Sequence, residues 1–212
     1  MSVDAKICGL TTPEVVDAAV RAGARWVGFV TYPPSPRHVA SIEQLAALGK
    51  RVPKGVGRVG LFVDADDRLL DERLASGAID LLQLQGAETP QRVAEIRART
   101  ATPVMKVIKV AEAADVERGI TAFAGVADRL MFEAAGGALP GGNARAFDWT
   151  ILSGRSVPLP WFLAGGLTAD NVAEAVRVTG ARTVDVSSGV ESSRGVKSIA
   201  LIDAFLAAVK AL

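Results

Sequence analysis

The chain has 212 residues, half of them hydrophobic and 22% charged, with Lys+Arg at 24, Asp+Glu at 23 and a single cysteine. A balance that near to neutral lacks the basic footprint of a nucleic-acid or anionic-membrane protein, and one cysteine excludes an intrachain disulfide and argues against a thiolate metal cluster. No apolar run reaches the length that spans a bilayer, and the start lacks the basic-then-apolar order of a secretory signal, so the expected setting is cytoplasmic.

Taken in chain order, short β-branched runs alternate with Ala-rich stretches of helical period. AKIC (5–8) predicts a strand, and PEVVDAAVRAG a helix capped by Thr12. RWVGFV (25–30) is the second strand; a Pro-rich loop, YPPSPRHV, leads to IEQLAALGKR, capped by Ser41. GRVGLFV (57–63), DRLLDERLASG with Asp66 as cap, IDLLQL (79–84), PQRVAEIRART, PVMKVIKV (103–110) and DRLMFE (128–133) continue the alternation. An irregular Gly-rich segment, AAGGALPGGNARAF (134–147), follows, and a loop of that length in a compact domain usually serves function. Asp148 and Trp149 open a short helix. PWFLAG (160–165), DNVAEAVRVTG with Asp170 as cap, and TVDVSS (183–188) complete the series. Trp26 and Trp161 lie within strand runs and are expected in the core or against helices.

Strand starts recur at the spacing of a βα unit, eight times over. Eight units fit a closed (β/α)8 TIM barrel, an α/β fold, compact here because such barrels commonly run to ~250 residues. The expectation is one barrel domain over residues 1–212. The alternative is an open doubly wound sheet with fewer strands, but no glycine-rich dinucleotide fingerprint follows the first strand.

In a barrel, the active site is built from the C-terminal ends of the strands. That rule gathers Cys8, Arg37, Asp64, Gln85, Glu133, Gly165, Gly166, Ser187, Ser188 and Gly189. Strand side chains alternate, so Lys6 shares a face with Cys8, Gln83 with Gln85, and Asp185 with Ser187. Strand 8 closes beside strand 1, which predicts a Lys6–Asp185 contact beneath the thiol. A cation near a thiol lowers its pKa, and Asp185 would blunt that effect. The turns LAGGLTADNV and DVSSGVES fall after strands 7 and 8, where barrels commonly bind phosphate through bare backbone N–H groups. His38, the only histidine, is expected to be structural or exposed.

KICGLT (6–11), GFVTYPPSPRHV (28–39), VGLFVD (59–64), LQLQG (82–86), LPGGNARAFDW (139–149), LAGGLTADNV (163–172) and VDVSSGVESSRGVK (184–197) resemble the phosphoribosylanthranilate isomerase family. The resemblance implies a compact barrel of tryptophan biosynthesis that isomerises N-(5′-phosphoribosyl)anthranilate by an Amadori rearrangement, with no metal or organic cofactor. It implies Cys8 as the general base at ribose C2′ and Glu133 as the general acid at the furanose oxygen. It places Arg37 on the anthranilate carboxylate, Gly165, Gly166, Ser188 and Gly189 on the phosphate, and Gln85 and Asp185 at the substrate site. Members are mostly monomers, with some dimers. Three positions depart from the family pattern: Glu133 stands where Asp is usual, Gln85 where His is usual, and Ala144 replaces a Gly. Those departures motivate two alternatives, a non-catalytic phosphosugar-binding paralogue and an isomerase of another phosphoribosyl aldosylamine.

Overall fold

The computed structural model describes residues 2–136 and 147–212. Most of the Gly-rich segment, with Ala144, lies outside the described residues. Eight parallel strands close a barrel in sequence order: β1 (Asp4–Cys8), β2 (Trp26–Val30), β3 (Gly57–Phe62), β4 (Leu81–Leu84), β5 (Val104–Val110), β6 (Arg129–Ala134), β7 (Trp161–Leu163) and β8 (Thr183–Val186). The described helices are α1 (Pro13–Ala22), α2 (Ile42–Gly49), α3 (Asp67–Leu74), α4 (Pro90–Thr100), α5 (Ala113–Phe123), α6 (Val172–Thr179) and α7 (Ile199–Lys210). The closed barrel expected from the eight-fold alternation is therefore the fold, and the open sheet is not.

Alternation along each strand sorts side chains between two apolar regions. Ile7, Val27, Phe62, Leu84, Ile108 and Phe132 point outward and are buried beneath the helices. Val59, Leu81, Met105, Met131 and Phe162 point inward and fill one end of the barrel. Trp26 packs on this inner cluster, edge-on to Phe162 at 5.8 Å, whereas Trp161 lies on the outside, edge-on to Phe132 at 5.5 Å. Each such fully buried large side chain contributes about 1.5–3 kcal/mol by leaving water.

Local chemistry explains most helix starts. Ser41 accepts from the Gln44 N–H and Asp66 from the Leu69 N–H, as expected of caps at those positions. Thr12 occupies the cap position of α1 without a side-chain hydrogen bond. Asp148 accepts from the Thr150 N–H and starts a short 3-10 helix, Trp149–Leu152. Two expectations are corrected. The cap position of α6 is held by Asn171, not Asp170; its side chain makes no capping bond to the helix but ties the preceding turn, accepting from the Thr168 N–H (2.8 Å) and donating to the Gly166 carbonyl (2.9 Å). β7 stops at Leu163, short of residue 165, because Gly165 and Gly166 adopt positive φ and turn the chain. One element has no counterpart in the sequence reading: an antiparallel pair, β9 (Glu191–Ser193) and β10 (Val196–Lys197), that stands beyond β8.

Inside the barrel, β1 meets β8 with Lys6 opposite Asp185. The Lys6 ammonium donates to the Asp185 carboxylate at 2.6 Å, and Lys6 has no exposed surface at all. Replacing Asp185 alone with Leu leaves that ammonium buried without its counter-charge. The expected cost is about 3–5 kcal/mol, read as a lower midpoint in chemical denaturation; Lys6→Met combined with Asp185→Leu recovers most of it.

Candidate active site

The inward side chains at the C-terminal ends of the strands share one mouth. β1 places Cys8 there, directly above the Lys6–Asp185 pair, and the thiol is buried. Its neighbour across the β1–β2 ladder is Gly28. A Cβ at Gly28 would lie 2.9 Å from Cys8 Sγ and 3.2 Å from Lys6 Cε, so a side chain there would displace both. Burial pushes the Cys8 thiol up, Lys6 pulls it down, and Asp185 pushes it up again; the net shift is upward. Lys6 thus lowers the thiol and Asp185 blunts that effect, both as expected, and desolvation outweighs the lysine and sets the upward direction. Burial also acts to lower Lys6, but Asp185 and Cys8 together hold it above an ordinary lysine.

On the far wall, β4, β5 and β6 carry a second polar group. Gln83 Nε2 donates to Gln85 Oε1 at 2.6 Å, and Gln85 Nε2 donates in turn to Glu133 Oε2. Lys109, opposite Glu133 in the β5–β6 register, places its ammonium on the same carboxylate oxygen. Glu133 thus projects into the mouth with two donors fixing one oxygen. Lys109 was missed in the sequence; inward alternation from Met105 and Val107 would have found it.

The loop after β2 brings in Arg37, which is almost wholly buried. Its Nε and Nη2 donate to Glu191 Oε1 and Oε2 at 2.6 and 2.8 Å, a bidentate pair. Nη1 makes no hydrogen bond among the described residues and remains the edge on which an incoming carboxylate can sit. Lys197 also donates to Glu191 Oε1 (2.7 Å), and the Gly195 N–H to Oε2 (3.0 Å). Burial raises Glu191, but Arg37 and Lys197 dominate and hold its carboxyl at about 2. Neither Glu191 nor Lys197 was singled out from sequence, because both owe their place to the β9–β10 pair.

At the ends of β7 and β8, the backbone N–H groups of Gly166, Ser188 and Gly189 donate no hydrogen bond within the described residues. The two turns meet closely: a Cβ at Gly189 would fall 1.9 Å from the Leu167 carbonyl oxygen. Only glycine lets these turns bring their N–H groups together around an anion.

Two other residues have structural duties. Asp64 adopts positive φ in the loop after β3 and accepts from the Ala87 N–H at 2.7 Å, tying two loops. His38 is half-buried behind the Arg37 loop, and burial, reinforced by Arg73, lowers its pKa. A buried pair, Lys106 with Glu88 at 2.9 Å, anchors the β4 loop outside the barrel.

Gly28→Ala is expected to push Cys8 Sγ off its position and lower kcat/KM by about 100-fold with the barrel intact, since misplacement of about 1 Å costs that much; turnover and circular dichroism measured together check this. The depressed Glu191 carboxyl predicts a pH effect of definite sign. Its stabilisation is full above the ordinary carboxylate range and is lost as pH falls towards about 2. Acid unfolding followed from pH 5 to 2 is therefore expected to be steeper for the wild-type chain than for Glu191→Gln.

Residues 5–208 match the family model described as N-(5′phosphoribosyl)anthranilate (PRA) isomerase. The chain is 54% identical over 216 aligned positions, covering 100% of both proteins, to the N-(5′-phosphoribosyl)anthranilate isomerase of Rhodospirillum centenum. The phosphoribosyl anthranilate isomerase of Thermotoga maritima has a similar structure, with a TM-score of 0.88 at 31% identity over 99% of this chain and 100% of that one. A phosphoribosyl anthranilate isomerase in complex with reduced 1-(o-carboxyphenylamino)-1-deoxyribulose 5-phosphate superposes with a TM-score of 0.83 at 30% identity, over 99% and 100% of the two chains.

Proposed function

The chain belongs to the N-(5′-phosphoribosyl)anthranilate isomerase family, and from that premise we propose how its residues divide the chemistry. It is an isomerase of tryptophan biosynthesis, converting N-(5′-phosphoribosyl)anthranilate to 1-(2-carboxyphenylamino)-1-deoxyribulose 5-phosphate. The phosphate docks on the N–H groups of the turns at Gly165–Gly166 and Ser188–Gly189. The anthranilate carboxylate takes the remaining edge of Arg37. These two anions anchor opposite ends of the substrate, and their binding energy orients the ribose between the reacting groups.

Glu133 delivers a proton to the furanose oxygen, and the C1′–O bond breaks with the anthranilate nitrogen lone pair forming the iminium. The iminium acidifies C2′–H, so a base of modest strength suffices. Cys8, as thiolate, removes that proton to give the enolamine, which returns as the ketone. Lys6 lies beneath the thiol and stabilises the charge it carries. Gln85 and Lys109 hold the Glu133 carboxyl in place, which constrains a side chain one methylene longer than the family's usual Asp. The groups named here all lie at one end of a single barrel, which we read as one domain that works as a monomer or a homodimer. A biosynthetic reaction of a phosphorylated intermediate fits the cytoplasmic setting expected from the sequence. Among the described residues, no helix is long and apolar enough to cross a membrane.

The observation that carries this assignment is the shared mouth: a buried thiol over a lysine, a fixed carboxyl on another wall, and free N–H groups at β7 and β8. Turnover of freshly generated N-(5′-phosphoribosyl)anthranilate, followed by loss of its fluorescence, tests it. Cys8→Ser and Glu133→Gln are each expected to lower kcat by about 10²–10⁴-fold, the usual contribution of a general base or acid. Unchanged kcat in either variant would remove that residue from its role.

A further inference from the structure

The mechanism above uses Arg37 and Cys8 but leaves a buried carboxylate and a buried ammonium between them without a role. Glu191 and Lys197 face each other across the β9–β10 pair. Their side chains are 4% and 1% exposed, so this is not a solvated surface pair. Each group is fully engaged. The Glu191 carboxylate accepts four hydrogen bonds: two from Arg37, one from Lys197 and one from the Gly195 N–H. Lys197 donates to Glu191 Oε1 at 2.7 Å, to the Ser187 carbonyl at 2.7 Å, and contacts Ser187 Oγ at 3.2 Å. Ser187 Oγ then donates to the Cys8 carbonyl at 3.2 Å. An unbroken polar chain thus runs from the Arg37 guanidinium to the backbone of Cys8.

Such a chain is costly to bury and weak as a source of stability, since replacing a buried ion pair with apolar groups is often neutral or better. Its geometry explains its presence better. The bidentate contact removes rotational freedom from Arg37 and leaves Nη1 outside the fork. The Lys197 end fixes the turn that follows β8 and, through Ser187, the end of β1. The positive charge of Lys197 is also felt at the thiol.

We propose that Glu191 and Lys197 are positioning residues for this reaction, a buried relay that aims Arg37 at the substrate carboxylate and braces Cys8 from the opposite end. The proposal rests on the roles given above to Arg37 and Cys8. The relay makes the carboxylate pocket and the base parts of one rigid unit, so a substrate lacking the carboxylate loses orientation at C2′ as well as affinity.

Two measurements test this on the whole enzyme. The first is the separation of KM from kcat. Glu191→Gln frees Arg37 and is expected to raise KM at least about tenfold, with a smaller fall in kcat. The second is the pH dependence of Cys8 alkylation by iodoacetamide, which needs no substrate. Lys197→Met removes the nearby cation and is expected to move that profile to higher pH and to lower kcat/KM, up to about 100-fold for displaced groups; Lys197→Arg is expected to restore most of both. Should Glu191→Gln fail to fold, the charge-balanced double variant Glu191→Gln with Lys197→Met carries the same KM expectation. Folded variants with wild-type KM and an unmoved alkylation profile would overturn the proposal. Failure of the Cys8 assignment looks different: Cys8→Ser would keep its turnover, while the KM rise and the alkylation shift would persist.

Discussion

The Lys6–Asp185 ion pair is the constraint around which the barrel interior is arranged. It bridges β1 and β8, the seam at which the sheet closes, between the apolar end of the barrel and its polar mouth. A buried ammonium held 2.6 Å from its carboxylate tolerates no slip in register, because a one-residue shift of either strand would turn one charge outward and leave the other buried and unpaired. The pair therefore specifies how the first and last strands meet. It also divides the barrel in two: below it lie Met105, Met131 and Phe162, and above it lies the chemistry.

That division accounts for the character of Cys8. A thiol above a lysine suggests an activated nucleophile, yet the lysine is committed to Asp185, and burial raises the thiol. A ring-opened iminium beside C2′ suits a thiolate base, because it acidifies the C2′–H that the base removes. The far wall is built differently. Glu133 is gripped by Lys109 and Gln85 instead of resting in an apolar pocket, so the two reacting groups face each other from contrasting surroundings.

The architecture was legible in the sequence because the signals were local. Period-two runs marked eight strands, and Ser41 and Asp66 marked helix starts that the structure bears out. Alternation alone placed Lys6 beneath Cys8, and the closure of strand 8 on strand 1 gave it Asp185. The misses were non-local. Asn171 stands at the cap position where Asp170 was expected, and its amide ties the turn to a carbonyl five residues back. β9 and β10 are three and two residues long, too short for any periodicity, and hold Glu191 between Lys197 and an Arg37 that lies 154 positions earlier. Lys109 was hidden in a run that reads as an ordinary strand.

The distance along the chain between these partners has a consequence for synthesis. Arg37 meets Glu191 across 154 residues, and Cys8 meets Ser187 across 179. Contacts of that separation pay the full loop-closure entropy before they return anything, and they form slowly. A ribosome releases Arg37 160 residues before Lys197, at about 5–20 residues per second. For several seconds the nascent chain holds a growing, curved sheet with two open edges and a buried-to-be lysine still in water. Enzymatic competence arrives only once residues 185–197 have been made, so pausing or termination just before them would leave most of the barrel made and no working site in it.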